Sequence, residues 1–407
     1  FARDDRMLMP WGTVKLGDLT EFPISTVALA GHTPEMVRSM PDDARCELLA
    51  RHNLEVTASE LARCRQAIRD GTIWRLVEER SHTNSALREA TEYLYDNMPE
   101  ALIAATNPLR SGGVRMSQDL ATSPPSVAAL GRLLTSFDSD CQRAILISGA
   151  PGAWRDRIGG LVQTIARRWP DATVFIETPL GLLPYTLEDV SPWAHLMGTS
   201  SIWKDLSVED RAFDLEALIG EVDHVVELSF ENNKQANLDL IESAFGEGVD
   251  EEISKAELDR EMIEDKVCYF LDVNRELAEE ILADCTFVYS RTHRVRNVHA
   301  SDGQHLFSPR LRDGGLSLTL EGARRLHGSS MPTVVVDDDS IPFTRKGRNV
   351  MHGFIAAVKG ELNPGLPCLL EAQDGTFLGH GVALCTASEA KCFRKGIAVK
   401  VRDGIGE

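Results

Sequence analysis

The sequence PFTRKGRNV at Pro342–Val350 and the sequence FRKGIAVKVR at Phe393–Arg402 enclose a short β-rich segment near the end of this 407-residue chain. Each run places cations beside a glycine, which lets the backbone approach a phosphate closely. Alternation along a strand would put Lys400 and Arg402 on one face and the neighbouring valines on the other. The two runs therefore predict a small β-rich module with an RNA-binding face. The alternative is that each basic cluster is a solvated surface loop.

The residues predicted to contact RNA are six of the seven cations in the two runs and the glycine of the first run. They are Arg345, Lys346, Gly347, Arg348, Lys395, Lys400 and Arg402. Contacts to phosphate position a nucleic acid without reading its bases.

The net charge of the chain does not exclude RNA binding once its distribution is considered. The chain has 43 Lys and Arg against 62 Asp and Glu, a formal net charge of -19. From Thr286 to Glu407 there are 16 basic and 12 acidic residues, a balance of +4, which leaves 27 basic and 50 acidic residues before Thr286, a balance of -23. RNA binding is therefore expected in the last third of the chain.

Composition predicts a folded protein without a membrane span. Hydrophobic residues make up 43% of the chain, and no apolar run approaches the roughly 18 residues of a spanning helix. The eight cysteines are scattered without a Cys-x-x-Cys pair, which favours reduced, mostly buried thiols and a cytoplasmic location over a disulfide framework. The first residues are charged and are not followed by an apolar segment, so no secretory signal is expected. Because the chain does not begin with Met, we expect a fragment or a processed product.

The first 115 residues are predicted to be mostly helical after a short extended opening. Thr33 followed by proline predicts a helix start, with threonine as N-cap. Thr57 and Glu60 have the spacing of a capping box and predict a second start. The residues that follow at helical spacing and are predicted to face a core are Leu61, Cys64, Ile68, Trp74 and Val77.

A linker rich in proline, glycine and serine is predicted at 107–125, and an α/β segment follows it. The runs Ala144–Ile147 and Thr173–Glu177 have the spacing of a β-α-β unit, and Val225–Leu228 predicts a third strand. The loop Ser148–Gly152 stands where a phosphate loop would be, but it lacks both the spacing of that loop and its lysine. We therefore predict a tight turn there.

Residues 251–283 are acidic and are predicted to be helical, with apolar residues at helical spacing. From Thr286 onward the pattern changes to short strands separated by glycines. This change predicts one or two small β-rich modules.

The last 75 residues resemble a PUA domain, the small RNA-binding β-pseudobarrel, through Arg345–Val350, Gly379–Leu384 and Gly396–Arg402. Upstream, Ser290–Val298 and Arg312–Ala323 are similar to the domain that precedes PUA in archaeal tRNA-guanine transglycosylases. The opening, from Phe1–Arg6 through Glu21–Pro23, looks like the end of the catalytic barrel of that family. The middle, Thr178–Trp193, is similar to the core of archaeosine synthase, a paralogue of the transglycosylase.

The resemblance also shows where this chain departs from the family. The family pattern after Glu-Phe-Pro is Cys-x-Cys-x-x-Cys with a later His, which together bind structural zinc. Here the three cysteine positions are Ile24, Thr26 and Leu29, and only His52 remains. Since Ile and Leu offer no lone pair, we predict no zinc, with Ile24 and Leu29 buried instead.

A second departure concerns catalysis. The synthase carries a Pro-Cys-x-x-x-Lys-Pro-Tyr-like motif after the first strand of its core, and this chain has Ser148–Trp154 there, without the Cys or the Lys. The resemblance places the catalytic aspartates of the transglycosylase upstream of Phe1. No catalytic residue is therefore assigned, and no cofactor is expected.

The resemblance implies a multidomain fold of class α/β plus α+β. Four domains are expected: a helical region at 1–115 from the end of a TIM-like barrel, an α/β core at 116–245, an α+β domain at 246–332, and the PUA β-pseudobarrel at 333–407. The implied function is tRNA binding in archaeosine (7-deazaguanine) modification, by a transglycosylase or archaeosine synthase paralogue or its C-terminal portion. The alternative is a non-catalytic RNA-binding subunit that partners an active transglycosylase. The expected partners are tRNA and a second subunit, in a homodimer or a heteromer, and no membrane.

Overall fold

The computed structural model describes residues 1–108, 122–137, 141–149, 154–195, 208–220, 222, 224–249 and 253–406. The chain divides into two compact units, Phe1–Asn97 and Met98–Glu407. Residues 109–121 of the predicted linker and 150–152 of the predicted turn lie outside the described residues.

The first unit is a short hairpin followed by helices. Its strands are β1 (Arg6–Met9) and β2 (Gly12–Lys15), which pair antiparallel, and its helices are α1 (Pro34–Arg38), α2 (Asp42–Arg69), α3 (Ile73–Ser81) and α4 (Ser85–Asp96). Its core contains Met7, Met9 and Leu16 from the hairpin region and Val37 and Leu49 from the helices. This confirms the prediction of a mostly helical region after an extended opening.

One predicted helix start in this unit is confirmed and the other is wrong. Thr33 caps α1, since its side chain accepts a hydrogen bond from the Met36 amide. Thr57 lies inside α2, where its hydroxyl donates to the Asn53 carbonyl one turn earlier at 2.8 Å. A threonine that bonds within the helix in this way does not need to cap one. The predicted core positions Leu61 and Ile68 are also wrong, because 50% and 65% of their surfaces are exposed.

The second unit begins with helices and a four-stranded sheet. The elements are α5 (Glu100–Ala104), α6 (Pro124–Ser136), β3 (Arg143–Ser148), α7 (Trp154–Arg168), β4 (Ala172–Thr178), β5 (Gly181–Pro184), α8 (Val208–Ile219), β6 (His224–Ser229) and α9 (Lys234–Phe245). The strand order is β5-β4-β3-β6, in which β3 is parallel to both β4 and β6. The predicted β-α-β unit and third strand are confirmed. The antiparallel strand β5 lies within the segment that resembles archaeosine synthase.

Two helices and a second four-stranded sheet follow. They are α10 (Lys255–Leu271), α11 (Arg275–Leu282), β7 (Thr286–Tyr289), β8 (Val295–His299), β9 (His305–Pro309), β10 (Leu316–Leu318) and α12 (Leu320–Leu326), with antiparallel strand order β10-β9-β8-β7. The acidic segment is thus two helices, because Asp272 takes a left-handed conformation with φ 53° and Asn274 caps α11. One continuous apolar core joins the first sheet, α10 and this second sheet.

The last module contains a six-stranded sheet. Its elements are β11 (Thr333–Val336), α13 (Ile341–Arg345), β12 (Val350–Met351), β13 (Ile355–Lys359), β14 (Pro367–Ala372), β15 (Phe377–Ala383), α14 (Ala387–Cys392) and β16 (Ile397–Gly404). The strand order is β12-β16-β15-β14-β11-β13, and the sheet encloses its own apolar core. The short strands predicted from Thr286 onward are confirmed in this module as well as in the preceding sheet.

Buried charge is concentrated in α10. From Met262 to Leu271 every residue of this helix is buried, including Glu264, Asp265 and Lys266. The Lys266 ammonium lies 2.6 Å from a carboxylate oxygen of Asp189, and the Lys266 side chain is 3% exposed. Removing one member of a buried ion pair leaves the other charge uncompensated, so this pair fixes α10 against the segment that follows β5.

We expect the Lys266→Met substitution to lower the free energy of unfolding by about 3 to 5 kcal/mol, because Asp189 would stay buried without a partner. The matched control is Arg324→Met on α12, whose exposed guanidinium pairs with the partly exposed Glu321 and should contribute less than about 1 kcal/mol. Chemical denaturation of the full chain, followed by circular dichroism, measures both. Equal effects of the two substitutions would contradict the proposed importance of the buried pair.

Candidate nucleic-acid interface

Strand pairing brings the two predicted basic runs together. Val350 of β12 lies opposite Val399 of β16, and the Val401 amide donates to the Asn349 side chain at 3.2 Å. The first run therefore lies beside the second half of β16. Lys395 lies before the other end of β16, and the two ends of a strand of this length are roughly 23 Å apart. The structure thus groups Arg345–Arg348 with Arg402 and leaves Lys395 at a distance.

The exposed side chains of β16 follow the predicted alternation. Lys400 and Arg402 are exposed, whereas Val399 and Val401 are buried in the core of the module. The register with β15 shifts next to Arg402, since Gly381 pairs with Val401 and His380 pairs with Asp403. Such a bulge bends the strand where this cation is presented.

Arg345 is less available than the sequence predicts. Its side chain is half-buried, and its Nε donates to the Gly406 carbonyl at 3.1 Å. The Gly406 amide donates back to the Arg345 carbonyl at 2.9 Å. Arg345 therefore ties the segment after β16 to α13, while Lys346 and Arg348 are exposed.

Gly347 ends helix α13. Its φ is +77°, a left-handed conformation that favours glycine, and its amide donates to the Thr344 carbonyl. The Arg348 amide donates to the Phe343 carbonyl at 3.0 Å, which completes a Schellman motif. The glycine is thus required by the turn that presents Lys346 and Arg348, whether or not it touches phosphate.

Sequence reasoning missed an exposed apolar set on the same module. Phe343 is 62% exposed next to the first run, and Phe393 is 50% exposed next to Arg394 and Lys395. Phe354, Met351 and Ile397 are also substantially exposed. Aromatic side chains between cations can stack on unpaired bases. The signal was present in the sequence, since a phenylalanine stands within two residues of the first cation in each run.

The described residues contain no disulfide, no cluster of metal ligands and no membrane-spanning helix. None of the eight cysteines forms a disulfide; four are buried, three partly buried, and Cys392 is exposed. No described group of three or more His, Cys, Asp or Glu side chains could hold a metal ion. Among the described helices, none is long and apolar enough to cross a membrane.

Three family models match this chain. The model described as queuine tRNA-ribosyltransferase matches residues 1–86, the model of the patch-forming domain C2 of tRNA-guanine transglycosylase matches 274–332, and the PUA model matches 332–405. Over these ranges the chain is similar to tRNA-guanine transglycosylases.

The transglycosylases that match this chain align with nearly all of it at moderate sequence identity. The tRNA-guanine(15) transglycosylase of Thermococcus kodakarensis is 29% identical over 100% of this chain and 56% of its own length. That of Methanothermobacter thermautotrophicus is 29% identical over 99% of this chain and 61% of its own length. The chain therefore spans little more than half the length of these transglycosylases.

Similar solved structures cover parts of the chain. The crystal structure of a protein of unknown function is 14% identical, covers 68% of this chain and 98% of that chain, and has a TM-score of 0.43. A conserved PUA domain protein from Thermoplasma acidophilum is 18% identical, covers 27% of this chain and 70% of that chain, and has a TM-score of 0.23.

At the positions that resemble the transglycosylase zinc site, the structure has apolar packing and one hydrogen-bonded histidine. Leu29 is 4% exposed in the core of the first unit, and Ile24 packs against that core while partly buried. The fully buried His52 has Nε2 at 3.0 Å from the Leu8 carbonyl, and its Nδ1 at 3.0 Å from the Thr26 hydroxyl.

These residues do not fit a zinc ion. A carbonyl only accepts, so Nε2 of His52 donates to Leu8, and Nδ1 accepts from Thr26. Both nitrogens are therefore engaged, and Ile24 and Leu29 cannot ligate a metal. The absence of zinc remains a prediction.

The neutral His52 ring should make the first unit sensitive to acid. Burial lowers the pKa of His52 below its ordinary value of 6.5, although the bond to Leu8 and the nearby Glu55 oppose this. As pH falls below 6.5, the unfolded chain takes up a proton that the folded chain resists, so the free energy of unfolding falls with pH until the folded pKa is reached.

We expect the protection of α2 backbone amides against hydrogen exchange, corrected for intrinsic rates, to decrease as pH falls from 7 toward 5.5. The decrease should be absent in His52→Gln, which cannot titrate, and retained in His82→Gln, whose side chain is exposed. Loss of the pH dependence in both variants, or in neither, would show that His52 is not its source.

Proposed function

We propose that this chain docks tRNA through its PUA module and acts in archaeosine (7-deazaguanine) tRNA modification, as a transglycosylase or archaeosine synthase paralogue or as the C-terminal portion of one. The observation that carries the proposal is the pairing of β12 with β16, which places Lys346 and Arg348 beside Arg402. The tRNA-guanine(15) transglycosylases that match this chain support tRNA as the substrate. None of the eight cysteines forms a disulfide, which agrees with a cytoplasmic location for this function.

Cations and aromatic side chains would both contact the docked tRNA. The exposed cations Lys346, Arg348, Lys400 and Arg402 would contact phosphates and hold the tRNA in register. Phe343 and Phe393 offer exposed rings next to these cations, where unpaired nucleotides of the tRNA could stack. Arg345 contributes chiefly by holding the end of β16 in place.

We expect the triple substitution Lys346→Ala, Arg348→Ala and Arg402→Ala to weaken tRNA binding severalfold at moderate salt. Loss of three phosphate contacts should also make the plot of log affinity against log salt concentration shallower by about 2. Arg345 is left intact in this variant because its loss would disturb the fold. Fluorescence anisotropy with labelled tRNA at several salt concentrations measures both quantities.

The matched control is Arg143→Ala with Lys234→Ala, which removes cations from the acidic α/β part of the second unit. This variant should bind tRNA with the same affinity and salt dependence as the unchanged chain. An unchanged salt dependence in the triple variant would remove the proposed interface.

A second subunit is also proposed, because α2 presents an unusual apolar stripe. Leu54, Leu61 and Ile68 are 70%, 50% and 65% exposed and recur at steps of seven residues, which places them on one face of the helix. We infer that this stripe packs against the same stripe of a second copy. A non-catalytic subunit bound to an active transglycosylase is the alternative, and it would use the same face.

We expect the chain to be dimeric at micromolar concentration and Leu61→Asp to be monomeric, as measured by light scattering after gel filtration. An aspartate in an apolar helix contact would be buried without a partner. The control is Leu87→Asp on α4, a leucine that is 51% exposed outside the stripe and should leave the mass unchanged. A monomeric parent chain would contradict self-association through α2.

A further inference from the structure

A cavity of about 340 Å³ lies between α7, α10 and strand β4, in the α/β part of the second unit. Its volume is within the range of small-molecule sites. The interior is apolar, since Val162, Ile165, Val174 and Met262 line it and are buried. Asp156, Gln163 and Glu261 line it and are exposed, so they stand at its mouth.

The hydroxyl of a largely buried tyrosine faces this cavity without a partner among the described residues. Tyr185 lines the cavity and is only 9% exposed, yet its hydroxyl makes no hydrogen bond to any residue that the structure describes. The hydroxyl packs against Gly159 of α7, where a Cβ atom would lie 3.1 Å from it. Buried tyrosine hydroxyls usually find a partner, so this one is suited to bind a polar atom in the cavity.

The charges that line the cavity do not balance. Arg155 donates to Glu188 at 3.0 Å, and Lys255 pairs with Asp259, so both strong cations are engaged. Asp156 and Glu261 form no ion pair with a described residue. The mouth of the cavity therefore presents uncompensated carboxylates.

The surroundings of Glu261 strengthen this conclusion. Although Glu261 is exposed at one edge, loss of hydration against the wall of the cavity and the carboxylate of Asp265 raise its pKa to about 7, and Arg275 opposes this only in part. A carboxylate in this position gains stability from any cation that enters the cavity.

We propose that this cavity binds a small organic cation with a planar or apolar body. Its charged group would face Asp156 and Glu261, its body would lie on Val162 and Met262, and a polar atom would reach the Tyr185 hydroxyl. An anion is disfavoured because Arg155 and Lys255 are already paired. The proposal is independent of tRNA docking, since no residue of the cavity belongs to the PUA module.

Three probes of nearly equal shape test the charge preference: benzamidine, benzamide and benzoate. We expect the full chain to bind benzamidine most tightly, benzamide more weakly and benzoate least, by ligand-observed NMR titration. Glu261→Gln should reduce benzamidine affinity about fivefold, as expected for a partly exposed ion pair, and leave benzamide binding unchanged. Tyr185→Phe should weaken both benzamidine and benzamide.

Asp156→Asn provides a second test at the mouth of the cavity and should also act on benzamidine alone. The matched control is Glu231→Gln, an exposed carboxylate outside the cavity that should change nothing. Equal affinity for the three probes, preference for benzoate, or a benzamidine affinity that survives both Glu261→Gln and Asp156→Asn would overturn the proposal.

Discussion

The buried ion pair between Lys266 and Asp189 is the constraint on which the second unit depends. The C-terminal half of α10 is buried on all sides, yet it carries Glu264, Asp265 and Lys266 in succession. Each charge needs a partner from another element: Asp189 follows β5, and Arg275 of α11 binds Asp265. Because an unpaired buried charge is costly, these pairs allow α10 few positions other than the observed one.

The C-terminal end of α10 is linked, through one arginine, to the segment that precedes β14 of the PUA module. Arg132 of α6, whose side chain is 8% exposed, donates to the Tyr269 carbonyl and to the Asp272 carboxylate at the end of α10. The same guanidinium donates to the Asn363 side chain at 2.9 Å, just before β14. One planar group with several donors thus joins three segments, which a lysine could not do. The position of β14, and with it the sheet that presents β16, follows from the packing of the core.

Local patterns predicted the parts of the fold that local physics decides. Apolar runs such as Ala144–Ile147 became strands, and Thr33 became a cap, because neighbouring residues determine both. The burial of the charged residues in α10 could not be predicted. A helix rich in charged residues is expected to face solvent unless the residues that pair with those charges are known. Leu61 was assigned to a core for the converse reason, because an apolar residue at helical spacing does not reveal whether anything covers it. In the candidate site, the sequence identified the cations but not the tether that engages Arg345.

Some cations of the basic runs hold the module together, and others face solvent. Only the cations that face solvent can contribute to an RNA-binding surface. Arg345 and Gly347 form the turn and the tether at the end of β16, so the exposed positive charge falls to a smaller set than the sequence implies. That set lies on a chain with a net charge of -19, in which the first 285 residues carry -23 and the remainder +4. Repulsion from the acidic part weakens within about 10 Å at moderate salt, so it does not abolish contact between a polyanion and the exposed cations. The influence of the acidic excess on polyanion binding should therefore be greatest at low salt.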